Sequence, residues 1–214
     1  MPATVTTFDP ADLTAQEAYK ILIGAIVPRP IAWVSTVSTA SAGGIRNLAP
    51  FSFFNGVCGD PMALMIAIDR RGPDAAVKDT LRNIEATREF VVNIPDEALA
   101  EAMNATSADF SPHVDEFAAA GVVAAPSVKV APPRVADAPI GFECRLIQVV
   151  HLGDRPLSGS VVLGEVVFGH IRSDLVDNWR IDASLLAPIG RMGGHFYTRA
   201  AKDMFKLPRP GGAT

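Results

Sequence analysis

The chain has 214 residues, of which 49% are hydrophobic and 20% are charged. This composition allows a buried core and lacks the charge density of a disordered protein. We therefore expect a single domain over residues 1–200, followed by an extended or disordered tail over 201–214. The 19 basic and 23 acidic residues give a net charge of −4, which argues against a nucleic-acid binder that works by neutralising phosphates.

The sequence contains no secretory signal pattern, and its longest apolar runs, such as 63–68, have only the length of a strand. We therefore expect no membrane partner. Cys58 and Cys144 lack a CxxC motif and a matching histidine spacing. We expect both to be free, buried thiols, with no disulfide and no metal site, in a protein of the reducing cytoplasm.

Hydrophobic periodicity and turn residues predict several strands with short helices between them. Such an order favours a mostly antiparallel β-barrel with helical insertions over alternating βαβ units. The first predicted elements are a helix after the Thr14–Glu17 capping box, a hairpin of strands at 31–37 and from Ile45, a strand at 61–68, a helix from Asp79 and a strand at 89–94. Helices at 96–103 and 114–120 follow, and Gly121, a residue type that tolerates the left-handed conformation, ends the second of them. A linker at 126–139 then leads to a second hairpin at 142–152 and 160–171.

The segment 47–55 has the composition of a strand but contains Pro50. Proline cannot donate to a sheet ladder, so this residue marks an edge or a break. Small residues on such an edge, Ala49 and Ser52, would let a flat ligand approach the free backbone groups. The alternative is an edge strand that merely covers the core.

Residues 78–80, Lys-Asp-Thr, combine a cation, a hydroxyl group and the free amides of a helix start. Helix N-termini bind anions, although Asp79 could simply cap the helix while Lys78 faces water. The polar cluster 104–107 follows a predicted helix, where it would either contact a ligand or end the helix.

The C-terminal segment 190–197 is rich in glycine but does not match GxGxxG, and no GxSxG motif occurs. His113, His151 and His170 have no metal or triad spacing. We therefore predict no catalytic side chain. A site with one anion-binding end and one flat end suits a cofactor that brings its own chemistry.

A series of motifs stands in the same order as in a known protein family. They are 28–36 (PRPIAWVST), 47–54 (NLAPFSFF), 78–80 (KDT), 89–93 (EFVVN), 115–117 (DEF) and 191–197 (RMGGHFY). Over about residues 16–200 they resemble the flavin reductase-like family with the FMN-binding split barrel, and the flavoredoxin-like branch in particular. Met62 departs from a proline that is common in the family, and the Arg70–Arg71 loop is not a family marker.

The resemblance implies a mainly β fold with helical insertions, namely an antiparallel, six-stranded split β-barrel of Greek-key type. It also implies a homodimer that binds FMN without a covalent link at the dimer interface. The implied cofactor-binding residues are Trp33, Ser35, Thr36, Asn47, Leu48, Ala49, Pro50, Phe51, Ser52, Lys78, Asp79, Thr80, Thr106, Ser107, His195 and Tyr197.

The activity implied by the resemblance is hydride transfer from NADH or NADPH to the flavin. Such a reductase needs stacking room beside the ring and little acid–base machinery, and backbone amides can stabilise the charge that develops on reduction. The electrons would then pass to a partner monooxygenase or to another acceptor. The alternatives are a non-catalytic, flavin-binding electron carrier and an enzyme that resembles pyridoxamine-phosphate oxidase.

Overall fold

The computed structural model describes residues 4–72, 74–208 and 210. The helices are α1 (Ala15–Ala25), α2 (Asp79–Thr87), α3 (Ala100–Ala105), α4 (Glu116–Ala119) and α5 (Ala183–Leu186). The strands are β1 (Ala32–Val37), β2 (Arg46–Phe51), β3 (Phe54–Gly59), β4 (Met62–Asp69), β5 (Glu89–Ile94), β6 (Ala124–Ala125), β7 (Arg134–Val135), β8 (Ile140–His151), β9 (Gly159–Ile171), β10 (Val176–Asp177), β11 (Arg180–Ile181), β12 (Ile189–Arg191) and β13 (Tyr197–Arg199).

Seven strands form one antiparallel sheet in the order β2-β1-β5-β8-β9-β4-β3. The two outer strands, β2 and β3, follow each other in the chain and are separated only by Ser52 and Phe53. The sheet must therefore curl until its two edges lie close together. If 46–59 is counted as one bent run, the barrel has six strands, and the expected antiparallel split barrel with helical insertions is confirmed.

The barrel encloses the first of two apolar clusters, which includes Ile66, Ile84 and Phe90. Close packing there explains Gly164 on β9, because a Cβ atom at this position would lie 2.4 Å from Cζ of Phe90. The second cluster, which includes Trp33 and Phe117, lies on the other face of β1 and β2. β1 is therefore buried on both faces from residue 32 to 36.

The linker 126–139 has little regular structure, but buried polar side chains of the barrel hold it. The Glu143 carboxylate on β8 accepts two linker amides at 2.7 and 2.5 Å and lies 2.7 Å from Nε2 of His170. The side-chain oxygen of Asn93 on β5 accepts the amide of Val135 at 2.9 Å. The path of the linker is thus set by acceptors that belong to the sheet.

Several local predictions are confirmed. Thr14 and Glu17 form the reciprocal hydrogen bonds of a capping box at the start of α1. α2 begins at Asp79, and both predicted hairpins are present. Gly121 has a φ of +66°, the left-handed conformation expected after α4.

Other predictions need correction. The helix predicted over 96–103 begins only at Ala100, and residues 97–99 before it form a turn in which the Asp96 carboxylate accepts the amide of Leu99 (3.1 Å). β3 was not predicted, and Cys58 on this strand is exposed, whereas Cys144 is buried as expected. Both thiols are free.

The predicted tail lies partly outside the described residues, which reach 208 and include 210. Within the tail, residues 204–208 have no regular secondary structure. The division into a domain over 1–200 and a tail stays a prediction, and so does the cellular location. None of the helices in the described ranges has the length and apolar character needed to cross a membrane.

Candidate functional site

A groove runs along β2, at the edge of the barrel. Its first compartment has a volume of about 130 Å³ and lies between β2, the start of α2 and the segment after α3. The second has a volume of about 190 Å³ and lies between the end of β2, α1 and the C-terminal β12–β13 ribbon. Pro50, Phe51 and Ser107 line both compartments, so the two adjoin each other along β2.

Asn47 on β2 is the centre of a buried polar network in the first compartment. Its Oδ1 accepts hydrogen bonds from the hydroxyl groups of Thr80 (2.7 Å) and Thr36 (3.3 Å). Its Nδ2 donates to Oε1 of Glu116 at 2.7 Å. One side chain thereby connects β1, β2, α2 and α4, and fixes the strand that lines the groove.

Glu116, on α4, is a buried carboxylate that sequence reasoning did not assign to the site. Besides the bond to Asn47, its Oε2 accepts the backbone amide of Leu48 at 3.1 Å. Burial raises the pKa of Glu116, and the two hydrogen bonds lower it in part. The Asp-Glu-Phe motif at 115–117 gave no local signal for this role, because both hydrogen-bond partners of Glu116 lie far away in the sequence, on β2.

The first compartment has a cationic end at the start of α2. Burial lowers the pKa of Lys78, and the carboxylates of Asp69 and Asp109 act in the opposite direction. The Lys78 ammonium lies 5.5 Å from the ring centre of Phe51. The first amides of α2 have no acceptor within the helix and point towards its N-terminus.

The negative charge of Asp79 does not neutralise the Lys78 ammonium, because two arginines already pair with the Asp79 carboxylate. Its carboxylate bonds to Arg82 within α2 and lies 3.6 Å from Arg71. Arg71 also approaches Asp109 at 3.7 Å. By contrast, Lys78 makes no salt bridge within 4 Å in the part of the chain that the structure describes.

The second compartment supplies the flat end of the groove. Pro50 and Phe51 form one wall, and Tyr197 from β13 forms another. The Tyr197 hydroxyl accepts from Arg191 and donates to Oδ1 of Asn104 at 3.2 Å. This end therefore combines apolar surface with a small number of oriented polar groups, as small-molecule sites commonly do.

The groove brings together most of the residues predicted to hold a flavin. Those that line it are Asn47, Ala49, Pro50, Phe51, Ser52, Lys78, Asp79, Thr80, Thr106, Ser107 and Tyr197. His195 is exposed and does not line either compartment. Trp33, Ser35, Thr36 and Leu48 are fully buried behind the groove.

The buried residues support the lining from behind. The Trp33 indole donates to the hydroxyl of Thr106 at 2.8 Å, and Thr106 donates in turn to the carbonyl of Met103 at 2.8 Å. The Ser35 hydroxyl donates to the carbonyl of Pro133 at 2.5 Å and thereby holds the linker. The direct contacts of these residues with a flavin stay predictions.

The titratable side chains of the first compartment are Arg71, Lys78, Asp79, Asp109 and Glu116, and the carboxylates of Asp79 and Asp109 both lie close to Arg71. Among the described residues, no group of three His, Cys, Asp or Glu side chains is placed to hold a metal ion. The arrangement offers a cationic end for a phosphate, a flat end for a ring system, and a rigid strand between them.

Comparisons with known proteins agree with this geometry. The family model of the flavin reductase-like domain matches residues 24–190. An uncharacterised protein of Aquifex aeolicus is 41% identical over 183 residues, which cover 85% of this chain and 89% of the relative.

Two solved structures share the whole fold at substantial sequence identity. Component B of the nitrilotriacetate monooxygenase of Bacillus cereus is 33% identical, with a TM-score of 0.89 and coverage of 96% of this chain and 100% of the other. The 2-nitrobenzoate 2-nitroreductase of Pseudomonas fluorescens is 35% identical, with a TM-score of 0.85 and coverage of 98% of both chains. The chain thus belongs to the flavin reductase-like family, as its motifs predicted.

Proposed function

We propose that this protein binds FMN in the β2 groove and transfers hydride from NADH or NADPH to it. The observation that carries the proposal is that the cationic compartment at Lys78 adjoins the flat, apolar compartment at Pro50 and Phe51. A phosphate monoester at one end of a planar ring system requires those two environments. FMN, when bound, supplies the ring that accepts hydride and passes electrons on.

The chain's own residues bind and orient the cofactor. Lys78 and the first amides of α2 would bind the phosphate, with the hydroxyl of Ser107 nearby. Asn47 and Glu116 fix the backbone of β2, which would lie along the ring and its ribityl chain. Hydride transfer between two rings requires positioning and stacking space rather than a catalytic dyad.

We also propose a homodimer whose interface completes the groove. β3 is an exposed outer strand of the sheet, and unpaired edges are normally covered. The strands β3, β4, β8 and β9 also carry large apolar side chains that face water in the single chain. These side chains are Val57 (54% exposed), Met62 (49%), Ile147 (46%), Val150 (38%) and Phe168 (36%).

The similar structures suggest two destinations for the electrons. One of these two structures is a component of a monooxygenase and therefore works with another component. The second structure is a reductase that is named for its own small substrate. We propose that the reduced flavin serves an acceptor of one of these two kinds, a partner enzyme or a small molecule.

The test is an absorption spectrum of the purified protein, followed by anaerobic addition of each nicotinamide with and without added FMN. We expect a flavin spectrum that bleaches on addition of NADH or NADPH. A yellow protein that oxidises neither nicotinamide would instead be an electron carrier. A protein that gains no flavin spectrum from excess FMN would refute the proposal.

A further inference from the structure

Two arginines stand side by side at the flat end of the groove. Arg29 and Arg191 form an antiparallel bridge in which each amide donates to the other's carbonyl, at 2.9 and 2.8 Å. Residues paired in this way place their side chains on the same face, with Cβ atoms about 5 Å apart, and like charges there are destabilising. Burial lowers the pKa of Arg29, and the charge of Arg191 acts in the same direction.

The described residues around this pair supply no negative charge. Neither arginine makes a salt bridge within 4 Å in the described ranges. The described residues that line the second compartment include both arginines and no aspartate or glutamate. Since the whole chain carries a net charge of −4, this local excess of positive charge does not follow from composition.

The packing of the protein accounts for Arg29. Its side chain is buried, with only 4% of the residue exposed, and it uses four of its five N–H donors. The acceptors are the carbonyls of Ile23 (2.7 Å), Ile26 (2.8 Å) and Met192 (3.2 Å) and the hydroxyl of Ser52 (3.1 Å). Arg29 therefore joins α1, the end of β2 and the C-terminal ribbon.

The packing does not account for Arg191 in the same way. Its guanidinium donates to the Tyr197 hydroxyl and to the carbonyl of Gly194 (2.6 Å), and its central carbon lies 4.7 Å from the Tyr197 ring centre. Three of its five N–H donors make no hydrogen bond to the described residues. Arg191 is thus a fixed cation that keeps donors free in the second compartment, although its position beside Arg29 costs stability.

The proposed reaction delivers a negative charge to this compartment. The FMN phosphate does not do so, because its proposed place is at Lys78 in the first compartment. Hydride transfer carries two electrons and one proton to the flavin ring, so the ring gains one negative charge while the nicotinamide is oxidised to a cation. The ring holds this charge mainly at N1 and the C2 carbonyl, on its pyrimidine edge. Donors that are fixed in advance stabilise charge that develops during a reaction.

We propose that the free donors of Arg191 face the pyrimidine edge of the FMN ring and stabilise its reduced form. The inference rests on the proposed function, which places the ring in the second compartment. The protein then binds reduced FMN more tightly than oxidised FMN, and by linkage the midpoint potential of bound FMN lies above that of free FMN. Reduced flavin is therefore retained by the protein until an acceptor reaches it.

The test is an anaerobic reduction of the FMN-loaded protein with dithionite against a reference dye, in the absence of nicotinamide. We expect a two-electron midpoint potential above that of free FMN. Arg191→Gln should weaken the binding of reduced relative to oxidised FMN at least tenfold, which lowers the potential by about 30 mV. Arg191→Lys, which keeps the charge, should lower the potential less.

The matched control is Arg155→Gln, which removes an exposed arginine from the 153–159 loop and should leave the potential unchanged. A fluorescence titration with oxidised FMN separates the proposed role from a structural one. Loss of the proposed contact should change this affinity much less than the affinity for reduced FMN. A merely structural role would weaken the binding of both forms equally and leave the potential unchanged.

A wild-type potential below that of free FMN would overturn the inference without any variant. So would an unchanged potential in an Arg191→Gln variant that folds and binds FMN, even if the KM for the nicotinamide rises, because Arg191 would then contact the nucleotide. If FMN binds but neither nicotinamide reduces it, the proposed hydride transfer fails and the dithionite reduction still decides this inference. If the wild type binds no FMN, both fail.

Discussion

Replacing Asn47 by aspartate would place a second carboxylate against Glu116 in the floor of the groove. The Asn47 amide nitrogen now donates to Glu116 at 2.7 Å, and aspartate has nearly the same shape without that donor. Thr80 and Thr36 would still find their acceptor. The substitution therefore isolates one interaction, a hydrogen bond that becomes a repulsion between like charges.

The cost of this change is limited by uptake of one proton, because two buried carboxylates in contact share a proton rather than both remain ionised. Relative to an unfolded-state pKa near 4.5, holding one proton at pH 7 costs at most about 1.36 × (7 − 4.5) ≈ 3.4 kcal/mol. In the affected range the folded variant binds one proton more than the unfolded chain. Its stability therefore falls by about 1.4 kcal/mol per pH unit as pH rises.

The stability of the wild type should also fall as pH rises, but less steeply. The folded-state pKa of Glu116 is already raised by burial. Its contribution to stability is therefore fully present below pH 4.5 and is lost as pH rises through the folded-state pKa. The difference between Asn47→Asp and the wild type should accordingly develop above the folded-state pKa of Glu116.

The assay is urea unfolding of the flavin-free proteins between pH 5 and pH 8. Tryptophan fluorescence reports the transition, because Trp33 is fully buried whereas Trp179 is 91% exposed in the folded state. The matched control is the double variant Asn47→Asp/Glu116→Gln, which reverses the amide–carboxylate pair and keeps an acceptor for the Leu48 amide. It should recover most of the lost stability at pH 7.

A destabilisation of Asn47→Asp that stays constant across this pH range would refute the reasoning. So would a double variant that is less stable than the single one. Either result would mean that the two side chains do not interact as the distance of 2.7 Å indicates.

The other predictions concern cofactor binding and assembly. In a fluorescence titration, Lys78→Ala should weaken the binding of FMN at least tenfold, about 1.4 kcal/mol, and leave the binding of riboflavin unchanged. Equal losses of affinity for the two ligands would show that the phosphate lies elsewhere. Ala49→Leu should fold and dimerise but bind FMN at least tenfold more weakly by absorbance, because Ala49 lines the groove; wild-type affinity would show that β2 is only structural. Light scattering at micromolar concentration should give about twice the chain mass of 22.6 kDa, and a stable monomer that binds FMN would contradict the dimer.

Local signals in the sequence were sufficient for the elements that depend on local chemistry. The Thr14–Glu17 box, the helix start at Asp79 and the glycine after α4 each follow from hydrogen bonds or φ angles within a few residues. β3 was missed because two glycines and an exposed face hide its pairing with β4. Its place depends on how the sheet closes, which is not a local property.

The site shows the same division. Lys78, Thr80 and Pro50 could be named as candidate ligand-binding residues because helix starts and sheet edges have known binding chemistry, and the structure brings them to one groove. Glu116 could not, because its role arises only when α4 packs against β2. The pairing of Arg29 with Arg191 joins residues far apart in the sequence, so no spacing rule would have revealed it.

The linker over 126–139 and the loop over 153–159 should differ in how well they tolerate insertions and deletions. Its amides satisfy the buried carboxylate of Glu143 and the side chain of Asn93, so an inserted or deleted residue would leave those groups without partners at a cost of about 1–3 kcal/mol each. Residues 153–156, at the tip of the loop between β8 and β9, are exposed, and the backbone hydrogen bonds of Arg155 stay within the loop. Insertions, affinity tags and fused domains should therefore be tolerated in that loop far better than in the linker.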